Sequence, residues 1–432
     1  MLTVFLHFLL NIVTKMNGKE VVLRFSCYNE YKIKMEKVDE LSITPIGEKE
    51  RIAVVDILRG ISILGIFLVN MPSFYSPMLY INPYTYYKGT WNEVFYRIID
   101  FLAQASFYPL FAFLFGYGAV ILEKRLTEKG MSFPKVYSRR LIVLLVIGII
   151  HAFLIWHGDI LINYALFGFF YLLFYKISGK SLLWIGMLMY MIPFSLLAIL
   201  FTVLSLVGWD SGDWMTDAVK IKQSLEVYGD GSFLEITAQR FEDWYTVNNF
   251  VSLMLLFLSI FPLFLIGAGF AKLKWLEQPQ IHSKPLKLLF WITLPAGVLL
   301  KLSPYYLEGY GASSLIQDQL GGPMLSIAYI TGVTLFLRNK LARRTFISFS
   351  YVGRLSLSNY LFQSILCTLI FYSYGLGLYG KISFTTGCVM VVIIYTLQLW
   401  MSKAWLAKYK IGPVEYLWRW LTYGTRPKLR SM

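Results

Sequence analysis

Long apolar runs alternate with short polar ones along this chain. Ten apolar runs lie near residues 54–71, 100–122, 140–157, 159–176, 182–207, 250–272, 286–302, 322–338, 350–374 and 384–406. Most approach the ~20 residues a helix needs to cross the ~30 Å hydrocarbon layer of a bilayer. In that layer a helix satisfies its own backbone groups, whereas an open strand does not. The pattern predicts an all-α polytopic membrane protein of about ten transmembrane helices. It divides the chain into an N-terminal segment (1–50), a first membrane bundle (51–208), a long polar break (209–249) and a second membrane bundle (250–432).

The polar positions test that count. Basic residues crowd the loops at 123–140, 273–285 and 339–349 and the C-terminal tail, and Lys180 sits in the short turn at 177–181. The loops at 72–99, 208–249, 303–321 and 375–383 are poor in them. The two kinds alternate, and cytoplasmic loops carry the Lys/Arg excess, so both termini are expected in the cytoplasm. The 208–249 loop holds eight acidic residues against three basic ones. It is expected to face water outside, with room for a small helix or lid.

Composition agrees: 57% of residues are hydrophobic and 15% charged. A soluble chain of 432 residues could not hide that much apolar surface. The net charge of +15 would suit nucleic acid if it formed a basic helix or domain. Here it is scattered over short loops, which excludes nucleic acid and leaves the lipid bilayer as the partner. Cys27, Cys367 and Cys388 form no zinc-type spacing and no disulfide framework, so no metal is expected. The opening MLTVFLHFLLNIVTK is short for a span and lacks the basic start of a signal peptide. A natural start at Met35 is expected, with residues 1–34 an over-extended reading. Nothing in the sequence sets an oligomeric state.

Candidate chemistry concentrates in HAFLIWHGDILINYALFG, residues 151–168, which holds two of the four histidines. A turn at Trp156-His157-Gly158-Asp159 joins two apolar runs on the outer face. Along a helix, His151 would lie ~9 Å deeper than His157 at 1.5 Å per residue. Ionisable groups inside a membrane are costly and suggest function. The plainer readings are a hydrogen-bonded core histidine at 151 and a helix cap at Asp159. In the first run, Asp56, Arg59 and Asn70 share a helical stripe. Arg59 either pins the helix through Asp56 or faces a cavity and holds an anionic group. In the ninth run, Arg354, Ser358, Asn359, Tyr360 and Gln363 form a polar patch. It serves helix–helix hydrogen bonds or a ligand cavity. No P-loop, G-x-S-x-G or H-E-x-x-H occurs, which argues against nucleotide hydrolysis and zinc proteolysis.

Two resemblances enter here. VDILRGISILGIFLVN, with its D-x-L-R-G start and far-end Asn70, resembles the opening helix of the transmembrane acyltransferase superfamily. VGRLSLSNYLFQS and LQLWMSKAWLAKYKIGPVEYLWRW resemble the C-terminal region of the YeiB-type family (domain of unknown function 418). The matching features there include Gly353-Arg354, Ser358-Asn359-Tyr360, Gln363-Ser364, Gln398, Ser402 and Gly412-Pro413-Glu415. LFAFLFGYG at 110–118 and the 151–168 stretch fit the same family, so the resemblance covers about residues 51–430. It implies a bacterial plasma-membrane protein. Likeness to the acyltransferases implies acyl-CoA as co-substrate and an envelope glycan or small molecule as acceptor.

In one branch of that superfamily, the heparan glucosaminide acetyltransferase, the proposed catalytic histidine lies in the first outer loop. This chain has none there. His151 therefore becomes the candidate base, with Asp159 to orient it and Asn70 to donate to the oxyanion. Arg59, Arg354, Asn359 and Gln363 become candidates for holding the co-substrate. A transporter or permease of a small solute is the alternative, and a purely structural membrane protein the third possibility.

Overall fold

A computed structural model describes residues 52–207, 216–307 and 310–429. Among them there are helices and turns and no strand. The expected start at Met35 lies outside the described residues, as do Asp210 and Asp213 of the acidic loop. The principal helices are α1 (Ala53–Tyr75), α2 (Thr90–Leu102), α3 (Phe107–Glu128), α4 (Phe133–Ile150) and α5 (Leu161–Tyr171). Then follow α6 (Gly179–Leu206), α7 (Ala218–Asp230), α8 (Phe233–Asn248), α9 (Phe250–Lys272) and α10 (Ser283–Lys301). The chain ends with α11 (Gly322–Phe336), α12 (Lys340–Arg354), α13 (Ser356–Phe371), α14 (Phe384–Lys408) and α15 (Pro413–Tyr423).

Among the described residues, seven helical stretches are long and apolar enough to cross a membrane: α1, α2 running into α3, α4 with its continuation to Ile155, α6, α9, α10 and α14. Three of the ten expected runs form shorter helices, α5, α11 and α13. The run at 350–374 is broken near Leu355, where α12 stops and α13 starts. The run at 100–122 is likewise broken at 103–106, where Ala105 adopts φ 54°. Such a left-handed conformation is strained for a residue with a Cβ.

α1 is the hub. Of its most apolar stretch 61% is buried inside the protein, against 17% for α6. It packs against α3, α12, α13 and α14. Two contacts are closer than side chains permit. A Cβ at Gly60 would collide with the Phe349 carbonyl, and one at Gly353 with the Asp56 carbonyl. The same reciprocity joins α3 to α9: Gly116 lies on the Phe264 carbonyl and Gly267 on the Phe113 carbonyl. Where lipid removes the hydrophobic drive, close backbone approach at small residues supplies the packing.

The connecting segments sort into two groups. In one, Asp217 N donates to Tyr80 O at 3.0 Å, Ser373 N to Tyr228 O at 2.9 Å and Gly380 N to Tyr75 O at 2.7 Å. These bonds knit together basic-poor segments. In the other, Lys272 Nζ donates to Ile177 O at 2.9 Å and Trp418 Nε1 to Arg140 O at 2.9 Å. Those join basic-rich segments. Residues 216–249 are not an open loop: they form α7 and α8, a helical hairpin. Asp217 caps α7, and a Ser232/Glu235 capping box starts α8.

Candidate functional site

The 151–168 stretch folds back on itself. Beyond Ile150 the helix widens into a π turn, His151–Ile155, closed by Trp156 N donating to His151 O at 2.8 Å. Single π turns inside helices are frequent at functional sites. The chain then runs through Trp156–Ile160 and returns as α5. This reversal brings Asp159 beside His151, with Oδ1 2.8 Å from Nδ1. Asp159 Oδ2 accepts from Ile162 N at 2.8 Å. One oxygen of this carboxylate therefore bonds the first turn of α5 and the other bonds the imidazole. Gly148 makes the closure possible, because a Cβ there would lie 2.8 Å from Ile162 N and 3.1 Å from Asp159 Oδ2.

Both side chains are fully buried. Among the described residues, His151 Nε2 has no hydrogen-bond partner. The Tyr360 ring lies 5.1 Å from the imidazole, and its hydroxyl donates to Gly158 O at 3.2 Å. A carboxylate on Nδ1 favours the tautomer whose Nε2 carries a lone pair. The arrangement is thus an oriented base with one free nitrogen.

A second pair lies beyond Trp156. His157 Nδ1 is 3.7 Å from Asp243 Oδ2 and 3.4 Å from the Tyr228 hydroxyl. Asp243 is itself held by three donors: Tyr80 at 2.7 Å, Gln239 at 2.8 Å and Tyr228 at 2.7 Å. Burial pushes the His157 pKa below its ordinary value, with Asp243 working in the opposite direction and Arg240 and His151 adding to the fall. His157 and Asp243 line a small recess of about 10 Å³, the room of a single water, together with Ser73, Ser76, Tyr80, Ser224 and Tyr379. Trp156 stands between the two histidines, stacked on Phe74 at 4.1 Å.

Arg240 fastens the hairpin over this turn. It is buried, and it donates to Leu154 O at 3.0 Å and to the Tyr374 hydroxyl at 2.8 Å. Its guanidinium lies 5.4 Å from the Tyr372 ring. The Leu154 carbonyl belongs to the last turn of its helix, where carbonyls lack partners and a cation is favoured. Sequence reading missed Gln239, Arg240 and Asp243 by treating 209–249 as water-facing. A signal was present: Ile236, Gln239, Arg240 and Asp243 have the spacing of one helical face, and all four are buried.

The remaining expected residues are placed as follows. Asn70 is half-buried on α1, and no hydrogen bond joins it to His151 or Asp159 among the described residues. Arg59 Nη1 lies 3.3 Å from Asp56 Oδ1, and its side chain keeps 29% of its exposure. Arg354 follows Gly353, which seats on the Asp56 carbonyl, so the two arginines occupy the same end of the molecule. Arg140 joins them there, over the Trp418 ring at 3.6 Å.

Asn359 and Gln363 face α14. Asn359 Nδ2 donates to Ser402 Oγ at 3.0 Å, and Gln363 Nε2 to Gln398 Oε1 at 2.8 Å. Gln398 in turn donates to Asn359 O at 3.0 Å. Glu415 caps α13, accepting from Leu357 N at 2.9 Å and Ser358 N at 3.1 Å, and from the Ser358 hydroxyl. A further polar centre lies at the α10–α11 end. Buried Lys301 donates to Gln104 O at 3.0 Å and lies 3.3 Å from Asp318, within a second π turn, Ile316–Gly321. Asp100 beside it accepts from Tyr84 at 2.7 Å and Gln317 at 2.6 Å. Among the described residues, no group of three His, Cys, Asp or Glu side chains is placed to hold a metal ion.

Known proteins resemble this chain over most of its length. The chain is 38% identical to the uncharacterized protein YxaH of Bacillus subtilis (strain 168), over 88% of this chain and 96% of that one. It is 29% identical to the uncharacterized protein YeiB of Escherichia coli (strain K12), over 86% and 96% of the two chains. An uncharacterized 39.9 kDa protein of Bacillus acidopullulyticus is 27% identical over 88% of this chain and 96% of its own. Residues 270–425 match the family described as protein of unknown function DUF418. That match covers α10 to α15 and includes the Asn359, Gln363 and Glu415 bonds, and the YxaH likeness carries it across the bundle: the chain belongs to the YeiB-type DUF418 family.

Proposed function

We propose that this chain is a membrane acyltransferase that moves an acyl group from cytoplasmic acyl-CoA to an outward-facing acceptor, an envelope glycan or small molecule. The observation that carries the reading is the buried His151–Asp159 bond with its unpartnered Nε2. Asp159 fixes Nδ1–H and offsets the charge that appears when Nε2 takes a proton. The acceptor O–H gives its proton to Nε2 as its oxygen attacks the thioester carbonyl. The C–S bond then breaks, and the leaving thiolate takes that proton from the imidazolium. Asn70 is assigned the developing oxyanion. Arg59 and Arg354 are assigned the phosphates of the co-substrate. Asn359 and Gln363 hold α13 to α14 behind them, forming the wall of the co-substrate site.

The proposed topology has ten crossings, with both termini cytoplasmic, in a bacterial plasma membrane. Its support is the sorting of segments in the fold: basic-poor segments bond to one another, and basic-rich segments to one another, as alternation across a bilayer requires. The chain would divide into membrane bundles at 51–208 and 250–432, with the α7–α8 hairpin on the outer end.

The test is transfer of a labelled acetyl group from acetyl-CoA by purified protein in nanodiscs. His151→Gln is expected to abolish transfer while the helical circular-dichroism spectrum and melting temperature stay close to wild type. Undiminished transfer in that variant would remove His151 from the base role. A permease is the second reading, favoured by the Lys301–Asp318–Asp100 centre beside a π turn, since intramembrane charges mark ion and substrate paths. Solute uptake into proteoliposomes without acyl turnover would select it.

A further inference from the structure

The two helices of the hairpin show opposite outer faces. α7 turns polar groups outward: Lys220, Lys222, Gln223 and Glu226 are exposed, and Lys222 pairs with Glu226 at 3.7 Å on its open side. α8 does the reverse. Its buried face carries Ile236, Gln239, Arg240 and Asp243, three of them polar or charged. On its open side Leu234, Phe241 and Tyr245 keep 79%, 56% and 59% of their exposure, with Ala238 exposed between them. Positions 234, 238, 241 and 245 follow the four- and three-residue steps of one helical stripe. A surface helix of a protein in water turns such a stripe to the core. Glu235 and Glu242 are exposed as well. Each lies one residue, about 100° of helix, past an apolar position of the stripe.

The surface on either side of the stripe points to what covers it. Phe153 of the π turn meets Phe241 at 5.7 Å and Trp244 at 5.3 Å between ring centres. The next residue, Leu154, whose carbonyl accepts from Arg240, ends an exposed row that runs up α4 through Ile142, Val146 and Ile150. At the far end of α8 a single residue in extended conformation, Asn249, leads into α9. That helix opens with exposed Phe250, Val251 and Met254. α4 and α9 are both long and apolar enough to cross a membrane, so their exposed apolar rows suit lipid chains. The stripe of α8 continues both rows.

We propose that α8 lies in the membrane interface at the hairpin end of the bundle, with its apolar stripe set among the acyl chains of that leaflet. Glu235 and Glu242 then stand at the headgroups, and α7 stands in water. An interfacial helix sinks its apolar face ~5–10 Å into the boundary between headgroups and chains, a level that suits aromatic rings. Lipid on the stripe holds the opposite, polar face of α8 against the turn, where Arg240 and Asp243 make their bonds. The inference rests on α4 and α9 crossing the membrane and not on acyl transfer.

The experiment is nitroxide accessibility in the full chain in lipid nanodiscs, on a background of Cys27→Ala, Cys367→Ala and Cys388→Ala. Ala238→Cys, Phe241→Cys and Tyr245→Cys carry the label on the stripe, Glu242→Cys on its edge and Lys222→Cys on α7. Oxygen concentrates among acyl chains and a nickel chelate in water, so the logarithm of the ratio of their collision rates with the label reads depth. It is expected to be positive along the stripe, as at Val251→Cys on α9, and to change sign at Glu242→Cys and Lys222→Cys. Nickel-dominated readings along the stripe would mean that water covers it, and would overturn the proposal. Low collision with both reagents would do the same, because it marks cover by a second copy or another protein. Equal readings at Phe241→Cys and Glu242→Cys would overturn the interfacial placement. Ala238→Cys adds only a sulfur at an exposed position, so it decides the matter should a larger replacement disturb the fold. No acyl donor is used, so the result is separable from that of the transfer assay.

Discussion

Two histidine–aspartate pairs, whose histidines stand six residues apart in the sequence, differ in how they are built. His151 and Asp159 come from one short reversal of the chain. They meet at 2.8 Å, have no exposed side-chain surface and leave one nitrogen unpartnered. His157 and Asp243 come from distant segments, stand 3.7 Å apart and share their surroundings with tyrosines, serines and a pocket. The first is pre-organised, with the imidazole fixed by a carboxylate that the backbone also holds. The second is a loosely coupled pair in a polar recess. A tightly held imidazole with one nitrogen unbonded among the described residues suits proton transfer, whereas the second pair serves to join the hairpin to the turn.

Histidine substitution gives the largest separation of the two. His151→Gln is expected to lower kcat for acetyl transfer by ~10²–10⁴-fold, the usual contribution of a positioned general base. His157→Gln is expected to leave kcat within an order of magnitude. Steady-state kinetics against acceptor concentration decides. Equal losses of kcat in both variants would dissolve the division of labour.

Asp159→Asn sharpens the same point from the carboxylate side. It keeps an acceptor oxygen but loses the charge that stabilises the imidazolium and weakens the bond to Ile162 N. A fall in kcat is expected together with destabilisation of ~1–3 kcal/mol, the cost of disturbing a buried charge-assisted hydrogen bond. Chemical denaturation and the transfer assay measure the two separately. Loss of stability with kcat intact would leave Asp159 a helix cap alone.

The next contrast lies in how each pair is enclosed. The outer pair depends on a hairpin that Arg240 holds down. Arg240→Met would strand the Leu154 carbonyl and the Tyr374 hydroxyl and remove the stacking on Tyr372. A loss of ~1.5–3 kcal/mol is expected from removing charge-assisted hydrogen bonds to these part-buried groups. Limited proteolysis should then cut within 216–249 faster than in wild type, and diethyl pyrocarbonate should reach His157 more readily. Labelling of His151 should not change, because its cover is Trp156 and Tyr360 and not the hairpin. Wild-type cleavage rates in the variant would show that the hairpin is held by other contacts.

How much of this was legible in the sequence follows from the same contrast. The inner pair was readable, because both partners lie within one 18-residue stretch where an isolated ionisable group stands out against apolar neighbours. Even the helix-capping role of Asp159 followed from Gly-Asp before an apolar run. The outer pair was only half readable. Asp243 was one acid among eight, and the average polarity of 208–249 concealed a face that closes on the bundle. The runs marked the helices well but not their breaks. At 103–106 and near Leu355 the composition stays apolar while the backbone turns, and hydropathy does not register that. Glu415 shows the same limit: nothing local to it says that its partners are the backbone amides of Leu357 and Ser358, some fifty-seven residues earlier.

Acid sensitivity is the smallest effect and belongs to the outer pair. Burial lowers the folded pKa of His157 below the ordinary value, against the raising influence of Asp243 and with Arg240 and His151 pushing the same way as burial. In the unfolded chain the imidazole titrates near ~6.5. Below that pH the unfolded state binds a proton that the folded state does not, so stability falls as pH decreases. The contribution is fully present above ~6.5 and is lost as pH passes down through the folded pKa. The melting temperature of wild type should therefore decline from pH 7 to pH 5 more steeply than that of His157→Gln, which has no imidazole to protonate at that position. Other carboxylates add to both curves and cancel in the difference. Parallel curves would mean that protonated His157 is accommodated in the fold, with Asp243 balancing its desolvation.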